Sequence, residues 1–116
     1  MHMNTQTIQR KELLTVALGD RRVTTADIRE IRLGAGQQTG RHLHPCAVLG
    51  YIVDGTAVYQ IEGETEQVLP AGSAFYEPAE AVIANFGNAS NSEPMTFVAC
   101  YLKDGDQELI TMLGER

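Results

Sequence analysis

The chain is written as short apolar stretches, most of them closed by a glycine or a proline turn. Eleven glycines and four prolines are spread along the whole sequence. Residues 23–33 alternate in part, with Ala26, Ile28, Ile31 and Leu33 apolar, and end at Gly34-Ala35-Gly36. Residues 42–53 carry Leu43, Val48, Leu49, Tyr51, Ile52 and Val53 and run into Asp54-Gly55, a hairpin signal. Residues 56–61 and 65–69 flank Glu62-Gly63-Glu64, which predicts a second hairpin. Residues 73–77 lie between the turns Pro70-Ala71-Gly72 and Pro78-Ala79-Glu80, and residues 81–86 and 94–102 lie on either side of a polar loop over 87–93. Residues 106–113 fit a short helix or a last strand equally well. Strands at intervals of roughly 8–12 residues with turns between them predict an antiparallel sandwich or barrel. A parallel sheet would need amphipathic helices between strands, and none is written here. The fold class is all-β.

Composition bounds the rest. A chain of 116 residues fits one domain, with enough interior to need no staple. Nine Lys+Arg against fifteen Asp+Glu leave a net charge of -6, which argues against nucleic acid or an anionic membrane as partner, since both are gripped by clustered basic charge. No run approaches the ~18 apolar residues of a membrane-spanning helix, and the first twenty residues lack the pattern of a secretory signal. Two cysteines, Cys46 and Cys100, are too few for a disulfide framework and predict a reduced, cytoplasmic protein.

The chemistry centres on His42-Leu43-His44. On a strand, residues two apart share a face with Cα atoms roughly 6.5–7 Å apart, so both imidazoles can converge on one metal at about 2.0–2.1 Å. The plainer reading is two half-exposed rings at a strand end. Glu77, in Phe75-Tyr76-Glu77, is the nearest carboxylate that could join them, with Glu80 next. Facing two imidazoles, Glu77 would be the catalytic member of a general acid/base set; facing outward, it would be a solvated carboxylate beside Pro78. Cys46 shares the face of His44 if the strand continues through Pro45. It would then be a thiolate nucleophile or, more simply, a small buried hydrophobe. Cys100 and the whole of 94–102 read as core, and 87–92 as a loop at the rim. His2, the remaining histidine, lies in the N-terminal stretch.

Gly36, His42, His44, position 48 and Gly55 follow the spacing of the first cupin motif, which has Gly, His, His, Glu and Gly at those places. Four of the five match, and Val48 holds the Glu position. After 16 intervening residues, Gly72 and Pro78 match the second motif, whose following Gly, His and Asn are replaced by Glu80, Ile83 and Gly87. Asn85 and Asn88 lie close by. Over residues 23–102 the chain thus resembles a small single-domain cupin.

The resemblance implies a double-stranded β-helix, a jelly-roll barrel, with an N-terminal segment over 1–22 that pairs across a homodimer. Metal sites of the family typically take two His and one Glu from the first motif and one His from the second; only His42 and His44 carry over. Val48 and Ile83 would line a drier, ligand-binding pocket together with His42, His44 and Cys46. Two readings follow. One is a small-molecule-binding cupin with a pocket centred on His42 and His44 and a degenerate or weak metal site. The other is a metal-dependent enzyme of lyase, isomerase or dioxygenase type, with a divalent transition metal held by His42, His44 and a carboxylate such as Glu77.

Overall fold

The computed structural model describes residues 7–114, and among them the chain forms nine strands and no helix. In order these are β1 (Thr25–Leu33), β2 (His42–Leu43), β3 (Ala47–Asp54), β4 (Thr56–Ile61), β5 (Gln67–Pro70), β6 (Ala74–Glu77), β7 (Ile83–Asn88), β8 (Met95–Lys103) and β9 (Thr111–Met112). They build a four-stranded sheet in the order β1-β8-β3-β6 and a five-stranded sheet in the order β5-β4-β7-β2-β9. The two sheets enclose an apolar interior in the manner of a jelly roll, all-β and antiparallel as the sequence predicts.

β8 shows why these residues form strands. Met95, Phe97, Ala99 and Tyr101 are buried and alternate with half-buried Thr96, Val98, Cys100 and Leu102, the period of a pleated strand with one face on a core. Cys100 therefore does not belong to the core. It lies on the outer face, opposite Ile28 of β1 and Leu49 of β3.

Two sequence expectations fail for one reason, which is that the chain changes sheets. Residues 42–53 are not one strand: β2 lies in the five-stranded sheet and β3 in the four-stranded one, with His44, Pro45 and Cys46 between them. Pro45 has no N–H to give a ladder, so the break falls where a strand is weakest. Asp54-Gly55 likewise joins β3 to β4 across the two sheets rather than closing a hairpin. Gly55 has φ 84°, and a Cβ there would stand 2.7 Å from that of Met95, so the corner admits only glycine. Glu62-Gly63-Glu64 does close a hairpin, between paired strands β4 and β5.

The ambiguous tail contains a strand. β9 pairs with β2, and Leu113 N–H donates to the Arg41 carbonyl at 3.0 Å. The polar loop starts later than expected, because Gly87 and Asn88 are buried residues of β7. The Asn88 amide donates to the carbonyls of Gly34 and Glu93 and accepts from the Ser90 N–H, tying off that end of the barrel. Residues 7–24 form no strand, and residues 11–18 run beside Leu49, Gly50 and Ala74 on the outside of the four-stranded sheet. His2 and the first six residues of the expected dimer arm lie outside the described residues.

Candidate metal centre and ligand cavity

Three elements bring three side chains together. His42 is fixed in β2 by pairing with Ile83 on one side and Met112 on the other. His44 follows the end of β2, and its carbonyl accepts the Glu80 N–H at 2.7 Å. Glu77 ends β6, immediately before Pro78. All three are buried, at 2%, 4% and 3% exposure, so Glu77 is not the solvated edge carboxylate. The two imidazole centroids are 4.9 Å apart with the rings at 79°.

Backbone carbonyls set the imidazole tautomers. His42 Nδ1 lies 2.7 Å from the Gly40 carbonyl, and His44 Nδ1 lies 2.6 Å from the Leu109 carbonyl. A carbonyl only accepts, so each Nδ1 carries a proton and donates it. Both Nε2 atoms then face Glu77: His44 Nε2 is 2.7 Å from Oε2 and His42 Nε2 is 3.7 Å from Oε1. Glu77 Oε1 is buried with no hydrogen-bond partner. Two ring lone pairs and a carboxylate thus converge where only a cation can satisfy them, either a proton or a metal.

In the absence of a metal the electrostatics of the triad favour the proton. Burial pulls the His44 imidazole down, but the hydrogen bond and charge of Glu77, with the Leu109 carbonyl, outweigh it and leave the pKa raised. Burial pushes Glu77 up, but the approach of His42, the hydrogen bond of His44 and the charges of both rings outweigh it and hold the carboxyl below its ordinary range. A proton shared between His44 Nε2 and Glu77 Oε2 explains both directions.

The donor set also fits a divalent metal. The ligand atoms of His42, His44 and Glu77 all lie within 4.8 Å of one another, and the carbonyls on the Nδ1 atoms are the outer partners that orient metal-binding imidazoles. Glu77 Oε1 supplies a lone pair with nothing else to bind. Two imidazoles and one carboxylate suit zinc or iron(II) and leave coordination positions open. A metal bound there would act as a Lewis acid toward a ligand oxygen.

The other residues expected in the pocket are placed differently. Val48 is the direct cross-strand partner of Glu77, and Ile83 that of His42, so each shares its partner's face of the sheet. Both are fully enclosed, at 1% and 0% exposure, and pack in the apolar core without reaching the cavity wall. Cys46 is also core, with 0% exposure, because β2 ends at Leu43 and the strand does not continue through Pro45 to carry it to the face of His44. Burial pushes its thiol up, the wrong direction for a nucleophile.

Beside the triad lies a cavity of about 200 Å³. Phe75, Phe86 and Phe97 form one wall, with ring centroids 4.7 to 6.0 Å apart. Ile31, Ala99 and Ile110 add apolar surface, while Thr39 and Tyr101 contribute hydroxyl-bearing side chains. Burial, and then the charge of Glu77, push the Tyr101 phenol up to about 12, so it stays protonated near neutral pH. Gly50 stands opposite Phe75, whose ring occupies the space a Cβ at position 50 would need. Sequence reasoning missed these wall residues. The alternation of β8 and the Phe75–Glu77 spacing carried a signal for some of them; Leu109 and Ile110, in an irregular tail, carried none.

The family description "Cupin domain" matches residues 29–101, while among curated proteins none matches the chain. Solved structures share the fold, three of them as follows. A cupin-like protein from Thermotoga maritima has a TM-score of 0.67 at 20% identity, over 77% of this chain and 65% of its own. An uncharacterised conserved protein with a double-stranded β-helix domain from Klebsiella pneumoniae has 0.64 at 19%, over 89% and 92%. A DMSP lyase from Ruegeria pomeroyi has 0.65 at 17%, over 75% and 42%. The chain therefore spans less than two thirds of the Thermotoga and Ruegeria proteins, and at these identities the likeness is one of fold. A profile match over most of the length, two enclosing antiparallel sheets and histidines at the spacing of the first motif lead to one conclusion: this chain belongs to the cupin family.

Proposed function

We propose that this protein binds a small organic molecule in the barrel and grips it through a divalent transition metal held by His42, His44 and Glu77. The observation that carries this is the unpartnered Glu77 Oε1, buried and facing the Nε2 atom of an imidazole whose Nδ1 is already committed. An orphaned buried acceptor is costly, and a metal would satisfy it. The first-motif Glu and second-motif His are missing, and on this reading Glu77, entering from the strand beside Val48, takes the place of the missing carboxylate. The test is elemental analysis of untagged protein purified without a metal column. About one transition metal ion per chain supports the reading, and metal-free protein that takes up none on titration with zinc, manganese or iron(II) contradicts it.

An enzymatic role is the second reading. Three protein ligands leave open positions, and the buried Tyr101 hydroxyl stands in the same cavity as a proton-bearing group. Glu77 would then be a ligand rather than a free acid or base.

The working unit is proposed to be a homodimer. The outer face of the four-stranded sheet carries an apolar row, with Ile28 at 69% and Tyr51 at 41% exposure beside half-buried Leu49, Val98 and Cys100. Ile8, Leu13 and Leu14 of the N-terminal arm are exposed as well. A second copy of the same surface, with its arm, would cover both. Ile28→Asp should then yield monomer in light scattering; an unchanged mass would oppose it. Cys46 and Cys100 are both free, in keeping with a reducing, cytoplasmic location.

A further inference from the structure

We infer that the cavity takes a molecule built on a single aromatic ring carrying one anionic oxygen group, a carboxylate or a phenolate, directed at His42, His44 and Glu77. This rests on the reading of those three residues as a metal-holding group.

Size comes first. The cavity measures about 200 Å³, and an apolar cavity of about 150 Å³ accommodates benzene. One ring with a small substituent fits the space. Shape comes next. Phe75, Phe86 and Phe97 stand at mutual tilts of 44°, 50° and 64°, offering faces and edges at the separations that aromatic pairs favour. A flat ring completes that cluster, whereas a flexible chain of similar volume forfeits the geometry and loses rotamer freedom.

Charge narrows the class further. Outside the triad the only ionisable side chain on the wall is the Tyr101 phenol, which brings no positive charge, and among the described residues neither Lys nor Arg lines the cavity. Arg41, on the approach to β2, is bound to Glu62 at 2.8 Å and to the Gly114 carbonyl. A phosphate or a dicarboxylate would bury its second charge against phenyl rings with nothing to pair it. One anionic oxygen is different. The triad supplies a single carboxylate, so a divalent ion held there keeps a net positive charge facing the cavity.

The experiment uses protein stripped with EDTA and reloaded with cobalt(II), whose visible spectrum reports ligands entering its coordination sphere. Benzoate and catechol are titrated against hexanoate, oxalate and inorganic phosphate, with calorimetry in parallel. Benzoate and catechol should perturb the spectrum and bind at least about tenfold more tightly than the other three. Ile110→Trp, which fills the cavity from a partly exposed position, should abolish benzoate binding, with cobalt content read from the same visible spectrum. Hexanoate, oxalate or phosphate binding as tightly as benzoate would overturn the inference while leaving the metal centre standing. So would a cobalt-loaded protein that responds to no probe. Failure to take up cobalt would instead sink the metal reading. Calorimetry on the metal-free protein then decides the ligand class, with benzoate tighter than hexanoate supporting it and the reverse overturning it.

Discussion

Val48 and Glu77 stand directly opposite each other across β3 and β6. Position 48 is where the first cupin motif carries its glutamate, and in this chain the carboxylate reaches the two imidazoles from the neighbouring strand instead. Cross-strand partners have Cβ atoms about 4.5–5.5 Å apart on one face of the sheet, so a carboxylate can migrate between them and still serve the same centre.

That relationship predicts a rescue. Glu77→Val alone should weaken metal binding by more than about 100-fold, beyond what loss of an outer partner costs. The double variant Val48→Glu with Glu77→Val, which returns the carboxylate to the motif position, should recover most of that loss in a zinc titration. Equal failure of single and double variants would mean the two seats are not equivalent.

The C-terminal tail, whose Leu109 packs against the core, should matter to the centre. Leu109 supplies the carbonyl that holds His44 Nδ1, and β9 pairs with β2, the strand that carries His42. Removing residues 109–116 should cut metal affinity about 10- to 100-fold, the range for lost outer-shell partners. The circular-dichroism signature of the sheets should persist. Undiminished affinity would show that His44 is oriented by its own backbone alone.

The metal-free protein should show a stability maximum in mildly acidic solution. The Glu77 pKa is lowered from 4.5, so its contribution is present above that value and lost as the pH falls through the lowered pKa. The His44 pKa is raised from 6.5, so its contribution is complete below that value and lost as the pH rises through the raised pKa. Melting temperatures of EDTA-treated protein should therefore peak between 4.5 and 6.5. His44→Gln should flatten the alkaline side; an unaltered profile would contradict the ion pair.

Glu80 occupies the place of the second motif's glycine and keeps a glycine's conformation, with φ 67°. Its exposed contact with Arg21, at 3.6 Å, is too weak to offset that strain. Glu80→Gly should raise stability by about 0.5–1 kcal/mol in urea unfolding, the left-handed penalty relieved less the added freedom of the unfolded chain. A loss of stability would mean the side chain holds this turn.

Much of the fold was legible because glycines and prolines mark turns locally, and strands such as β8 carry the period of two in their own residues. What local signals do not carry is which sheet a strand joins. Asp54-Gly55 reads the same whether it closes a hairpin or turns a corner between sheets, and the pairing of β3 and β4 in different sheets tells the two apart. His42, His44 and Glu77 could be named from residue type and spacing. Their tautomers could not, since the Gly40 and Leu109 carbonyls that set them are backbone groups without a sequence signature. Val48 and Ile83 show a further limit: matching a motif position fixes the face of the sheet but not whether a side chain reaches the cavity or packs in the core.

The most direct measurement is anomalous diffraction from crystals of protein reloaded with zinc, collected on both sides of the metal edge. A single peak within coordination distance of His42 Nε2, His44 Nε2 and the Glu77 carboxylate is the predicted result. No peak there, with Glu77 Oε2 still hydrogen-bonded to His44 Nε2 at the 2.7 Å of the metal-free contact, would contradict it.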